Sequence, residues 1–124
     1  MAAKILVVED DLDILHAVAE LLTEEGYSVM YAGDGEQALE VLRHCIDLPA
    51  LILLDLMMPR KDGAAFRKEQ QSDPRLAAIP VILMSADRQI ESKKVEMGLD
   101  HHIRKPLDLE AFLAIVQSGL STNA

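Results

Sequence analysis

Leu51-Ile52-Leu53-Leu54-Asp55-Leu56-Met57-Met58-Pro59-Arg60-Lys61-Asp62-Gly63 decides the fold. Four apolar residues run into Asp55, and a proline and an Asp-Gly pair follow within eight positions. A short, unbroken apolar run bounded by turn signals reads as a parallel-sheet strand buried on both faces. Pro59 cannot continue a central strand, and Asp62-Gly63 marks a loop leading into a helix. Asp55 therefore stands at the carboxyl end of a buried strand, where open α/β sheets bind their ligands. A charge there is costly unless something pairs with it.

Outward from this run, short apolar strands alternate with segments of helical periodicity. Lys4 to Val8 reads as a strand that ends at Glu9-Asp10-Asp11. Ile14, Leu15, Val18, Leu21 and Leu22 then recur at helical spacing from Asp13 to Glu25, with Gly26 as a stop. Tyr27 to Ala32 is a second strand and Gly33-Asp34-Gly35 a turn. A helix from Glu36 to Cys45 follows, with Ala38, Leu39 and Leu42 facing inward.

After the Asp55 strand comes a weakly patterned helix, Ala64 to Gln71, anchored by Phe66 and broken by Asp73-Pro74. Ile79 to Met84 is a fourth strand, ending at Ser85-Ala86-Asp87. A charged helix from Gln89 to Met97 closes at Gly98. His101 to Arg104 is a fifth strand, ended by Lys105-Pro106, and Asp108 caps a last helix with Leu109, Phe112, Leu113, Ile115 and Val116 on its apolar side. Five alternations predict a doubly wound, five-stranded parallel sheet with helices on both faces. There is no repeat and no linker, so residues 1–124 read as one domain.

The chain has 124 residues, half of them apolar, few aromatic, and a formal net charge of -9. One domain of this size buries roughly two-thirds of its unfolded surface. The acidity argues against a nucleic-acid surface, which needs a basic face. The single Cys45 precludes an intramolecular disulfide and a cysteine metal cage; beside Leu42 and Ile46 it reads as a small packed residue. No apolar run reaches the length of a membrane span, and the amino terminus leads straight into a strand, so the reading is cytoplasmic with no membrane partner.

Four strand ends carry reactive groups: Glu9 and Asp10, Asp55, Ser85, and Lys105. A parallel sheet brings all strand carboxyl ends to one edge. Crowded carboxylates repel one another and favour a hard divalent cation such as Mg²⁺. A lysine ammonium neutralises a further anion, and a serine hydroxyl donates to it. The set suits phosphoryl transfer to a carboxylate. Taken singly each residue has an ordinary explanation: a helix cap, a turn, a solvated charge. Their joint placement on four ends of one sheet edge does not.

The chain also resembles the response-regulator receiver domains of two-component signalling over essentially its whole length. The segments carrying the resemblance are Ile5 to Asp11, Leu53 to Gly63, Pro80 to Ala86, and Gly98 with Lys105-Pro106. It implies a flavodoxin-like (βα)5 fold and a phosphoprotein of a phosphorelay. Asp55 would accept a phosphoryl group from a histidine kinase or histidine phosphotransfer protein. Glu9, Asp10, Asp55 and the Met57 backbone carbonyl would surround Mg²⁺. Ser85 would be the switch hydroxyl, Lys105 the ammonium partner, and the bond before Pro106 cis. The signal would pass by phosphorylation-dependent contact with a downstream protein, the only catalysis being the domain's own phosphorylation and dephosphorylation. The expected form is a stand-alone receiver or a piece of a longer protein.

The pattern departs from that family at His102, three residues before the lysine, where Tyr or Phe is usual. An imidazole there predicts a weaker or pH-sensitive switch. His101 and His102 alternate across a strand, which argues against a two-histidine metal site. Arg104 is in reach of the site or of a partner. Lys93-Lys94 reads either as a solvated face or as a contact surface, and Met57 and Asp87 are placed to steer an attacking water. Two rivals remain: a receiver fold working without phosphorylation, and a Mg²⁺-dependent phosphatase of the haloacid-dehalogenase type. The second needs an aspartate where Met57 stands.

Overall fold

A computed structural model describes residues 3–58, 60–105 and 108–122, so the expectations placed at Pro59 and at the Pro106 bond lie outside it. Its elements, in chain order, are β1 Lys4–Val8, α1 Leu12–Glu24, β2 Ser28–Ala32, α2 Gly35–Arg43 and β3 Leu51–Asp55. They continue with α3 Gly63–Ser72, β4 Val81–Ser85, α4 Ile90–Glu96, β5 His101–Arg104 and α5 Leu109–Thr122. The five strands form one parallel sheet in the order β2-β1-β3-β4-β5. This is the doubly wound parallel sheet expected from the alternation, in the flavodoxin-like arrangement that the resemblance implies.

Strand periodicity divides the core in two. Leu6, Val8, Ile52, Leu54 and Leu83 face one side, where they pack with Ala38, Leu39 and Leu42 of α2, Phe66 of α3 and Ile90 of α4. Ile5, Val7, Leu51, Leu53, Ile82 and Met84 face the other, against Leu15, Val18 and Leu22 of α1 and Phe112 and Val116 of α5. Every residue of β3 and β4 is buried, which is why both read as unbroken apolar runs. Consecutive strands run outward on both sides of β1, so the winding reverses between β1 and β3, the position where such sheets bind ligands.

Helix ends follow local chemistry. Asp11 caps α1, its Oδ1 accepting from the N–H groups of Asp13 and Ile14 at 3.0 and 3.2 Å. Gly26 and Gly98 end α1 and α4 with φ of 90° and 69°. The N–H of the following residue reaches back to the Leu22 and Lys94 carbonyls, both at 3.0 Å. Asp108 caps α5 through the Ala111 N–H at 3.1 Å.

The differences from the sequence reading are local. α2 stops at Arg43, so Cys45 sits half-buried outside the helix and Ile46 is 95% exposed. The Arg75 guanidinium takes up the carbonyls of Leu42 and Cys45, ending the helix with a side chain from far along the chain. β4 begins after Pro80, which lacks the N–H a strand interior needs, though Ile79 is still buried. Leu109, in the first turn of α5, is 49% exposed rather than inward.

Phe112 is fully buried between α5 and the sheet. Phe112→Ala is expected to cost about 3–5 kcal/mol of unfolding free energy, read by urea denaturation.

Candidate functional site

The carboxyl edge of the sheet opens into a cleft of about 400 Å³. Glu9, Asp10, Asp55, Met57, Ser85, Asp87 and Lys105 all line it. Topology brings them together from four strand ends. Glu9 follows β1, its N–H bonded to the Ala32 carbonyl at 3.0 Å. Asp55 closes β3 in register with Met84 of the neighbouring strand. Lys105 follows β5, its N–H donating to the Ser85 carbonyl at 2.9 Å. The loop after Asp55 passes so close to α3 that a Cβ on Gly63 would lie 2.7 Å from the Asp55 carbonyl oxygen.

Glu9, Asp10 and Asp55 each bring an oxygen within 4.8 Å of the others. Glu9 is fully buried, Asp55 is buried and Asp10 is exposed. Among the described residues this is the one group of acidic, histidine or cysteine side chains close enough to share a metal. Lys105 Nζ lies 2.5 Å from Glu9 Oε1 and 3.5 Å from Asp55 Oδ1. Burial disfavours the Lys105 ammonium, but its contacts with Glu9 and Asp55 outweigh that and raise its pKa.

One ammonium does not neutralise three carboxylates. Burial pushes the Asp55 carboxyl up to about 8, helped by a hydrogen bond shared with Glu9 and by the Glu9 charge, against the pull of Lys105 and the Met57 N–H. Such a site is short of positive charge, and its donors are hard oxygens that suit Mg²⁺.

Ser85 Oγ accepts the Asp87 N–H at 3.0 Å, in a buried position beside the cleft. His102 is half-buried on β5, its Nε2 3.9 Å from Glu91 Oε1 of α4. Burial first, then the charges of Lys94 and Arg104, lower its pKa against the opposing pull of Glu91. Arg104 turns to the rim of the site, Nη1 3.4 Å from the Asp87 carbonyl. Lys93 and Lys94 are half-buried, not a freely solvated pair.

Asp11 is the one member of the acidic triplet that proves to be a helix cap. Sequence reading missed the pairing of Arg60 with Asp34, which lies 26 positions away and has no local signal. A smaller cavity of about 180 Å³ opens at the amino ends of β4 and β5. Its guanidinium, from Arg67, is taken up by the Met97 and Gly98 carbonyls and the Gln70 side chain.

Comparison with known proteins gives a match to the response regulator receiver domain family over residues 5–117. "Response regulator RR06" of Streptococcus pneumoniae is 44% identical over 110 residues, covering 85% of this chain and 47% of that protein. "Transcriptional regulatory protein CpxR" of Escherichia coli is 39% identical over 124 residues, covering 94% of this chain and 49% of that one. The chain thus spans about half the length of these curated relatives. The crystal structure of the signal receiver domain of a signal transduction histidine kinase from Syntrophus aciditrophicus superposes with a TM-score of 0.87 at 32% identity, covering 98% of this chain and 92% of that one. Among the described residues no helix is long and apolar enough to cross a membrane.

The raised Asp55 pKa carries a sign. The folded protein keeps a proton at Asp55 where the unfolded chain has lost it, so stability falls as pH rises from the ordinary aspartate value of 3.8 toward about 8. Without divalent cations, Asp55→Asn should remove this slope. The variant gains stability on wild type between pH 5 and pH 8 by on the order of 2 kcal/mol, measured by urea denaturation. Parallel stability curves for the two proteins would show that Asp55 ionises freely.

Proposed function

The chain belongs to the response regulator receiver domain family of two-component systems, and from that premise we propose that Asp55 is its phosphoacceptor. The observation that carries the reading is the convergence of Glu9, Asp10, Asp55 and Lys105 at one sheet edge. Glu9, Asp10, Asp55 and the Met57 backbone carbonyl would hold Mg²⁺. The ion supplies positive charge to the carboxylates and to the oxygens of an incoming phosphoryl group.

The chain's own residues do the rest. An ionised Asp55 oxygen attacks the phosphorus of a phosphohistidine on a histidine kinase or histidine phosphotransfer protein. The O–P bond forms as the N–P bond breaks, and the leaving imidazole takes up a proton. Lys105 is held within reach of Asp55 by the strand ladder and by Glu9, so its ammonium moves to the transferred group with little reorganisation. Ser85 releases the Asp87 N–H and turns its hydroxyl to the phosphoryl oxygens. The domain's role is signalling, through altered contacts with a downstream protein; its only chemistry is its own phosphorylation and hydrolysis. Its net charge of -9 argues against nucleic-acid contact by this domain's own surface.

Incubation with Mg²⁺ and acetyl phosphate, read by intact mass, tests the reading. One added phosphoryl group that requires both Mg²⁺ and Asp55 is expected. Inorganic phosphate released over many turnovers would favour a phosphatase instead. A folded, Mg²⁺-binding protein that takes up no phosphoryl group would leave a scaffold that works without phosphorylation.

His102 is proposed as the switch side chain that couples Ser85 to β5. Its lowered pKa keeps the ring neutral in the folded state, so falling pH charges it at a cost to the packed arrangement. Activated-state partner binding should therefore weaken from pH 8 to pH 5 in wild type and not in His102→Tyr. Equal binding by both proteins at both values rules out this coupling.

A further inference from the structure

The loop between β3 and α3 carries Met57, and it is tied down by a part of the molecule that touches none of the reacting groups. Arg60 in that loop has φ 61°, the one non-glycine residue with positive φ among those described. A long side chain rarely adopts that conformation unless its surroundings impose it. Here they do. Arg60 Nε donates to Asp34 Oδ2 at 2.7 Å, and its Nη2 pairs with the same oxygen.

Asp34 is no ordinary surface partner. It is 1% exposed and caps α2, its Oδ1 accepting the Gln37 N–H at 2.8 Å. An exposed ion pair contributes little, but a buried carboxylate left without its cation is costly. The tie is doubled on the backbone, because the Gly35 N–H donates to the Lys61 carbonyl at 2.9 Å. A Cβ on Gly35 would lie 2.6 Å from that same oxygen, so the two segments are in contact. The loop is thus pinned to the start of α2 at two successive residues. At its other end Met57 lines the cleft beside Asp55, its N–H near enough to the carboxylate to draw the Asp55 pKa down.

We propose that Arg60 and Asp34 form a positioning clamp. It sets how far the β3–α3 loop stands from the sheet edge, and with it the backbone of Met57: the N–H beside Asp55 and the carbonyl toward Mg²⁺. The carbonyl half of this rests on the reading given under Proposed function; the N–H half does not. Arg60 and Asp34 are positioning residues, since neither lines the cleft around Asp55.

The test uses the full chain carrying Arg60→Gly, Arg60→Lys or Asp34→Asn. Glycine accepts positive φ without strain, so Arg60→Gly removes the tether while leaving the loop free to keep its backbone path. It should still fold but melt below the wild-type temperature, because Asp34 loses its cation, and bind Mg²⁺ about tenfold more weakly by calorimetry. It should also exchange the Met57 amide hydrogen faster in the absence of metal. Arg60→Lys should restore part of each loss. Adding Asp34→Asn to Arg60→Gly should recover the melting temperature and leave the Mg²⁺ affinity low but no lower, because the two act through one contact.

Wild-type Mg²⁺ affinity together with wild-type Met57 exchange in Arg60→Gly would overturn the clamp. The exchange measurement needs neither metal nor phosphoryl group. If wild type neither binds Mg²⁺ nor takes up a phosphoryl group, the functional reading fails, and Met57 exchange alone decides the clamp: faster supports it and unchanged refutes it.

Discussion

The structure turns on a shortage of positive charge at one edge of the sheet. Glu9 and Asp55 are buried side by side with Asp10 close by, and the Lys105 ammonium is the cation among them. Burying like charges together is unfavourable unless they are neutralised. The carboxyl of Asp55 therefore holds its proton up to about 8, although the amide of Met57 and the ammonium both pull the other way. A fold selected for stability alone would not keep this arrangement. Conflicts of this kind between local cost and global fold mark functional sites.

The scaffold that enforces the crowding is rigid. β3 is buried along its whole length and β4 likewise, with one layer of helices on each face. All five loops at the carboxyl edge use an aspartate to bind backbone N–H groups. They are Asp11, Asp34, Asp62, Asp87 and Asp108. Carboxylates at this edge thus differ in role. Those at Asp11, Asp62 and Asp108 are exposed helix caps, whereas Glu9 and Asp55 are buried in the cleft. Asp34 is buried and also a cap, and it has a guanidinium of its own.

That division explains what could be read from the sequence. The apolar run ending at Asp55 and the four strand ends were legible, because a parallel sheet converts residue order into spatial convergence. Within Glu9-Asp10-Asp11, residue type alone does not separate cap from cleft; what separates them is which groups each side chain meets, the helix N–H groups for Asp11 and the other carboxylates for Glu9 and Asp10, and that is a tertiary property. The end of α2 was misplaced by two residues because Arg75, thirty-odd positions on, supplies its carbonyl partners. Leu109 was placed inward by helical spacing, yet the first turn of α5 projects past the core it packs on. The pairing of Arg60 with Asp34 had no sequence signal, since it joins two loops that only the sheet order brings together.

The central claim is that Asp55, Lys105 and the acidic pair after β1 act as one site for a cation and a phosphoryl group. A crystal structure grown with Mg²⁺ and beryllofluoride, a phosphoryl mimic, tests it most directly. The account predicts the mimic on an Asp55 oxygen, an ion held by Glu9, Asp10 and Asp55, and the Lys105 ammonium moved off Glu9 onto the mimic. A mimic bound elsewhere, or Lys105 still paired with Glu9 beside an occupied Asp55, would contradict it.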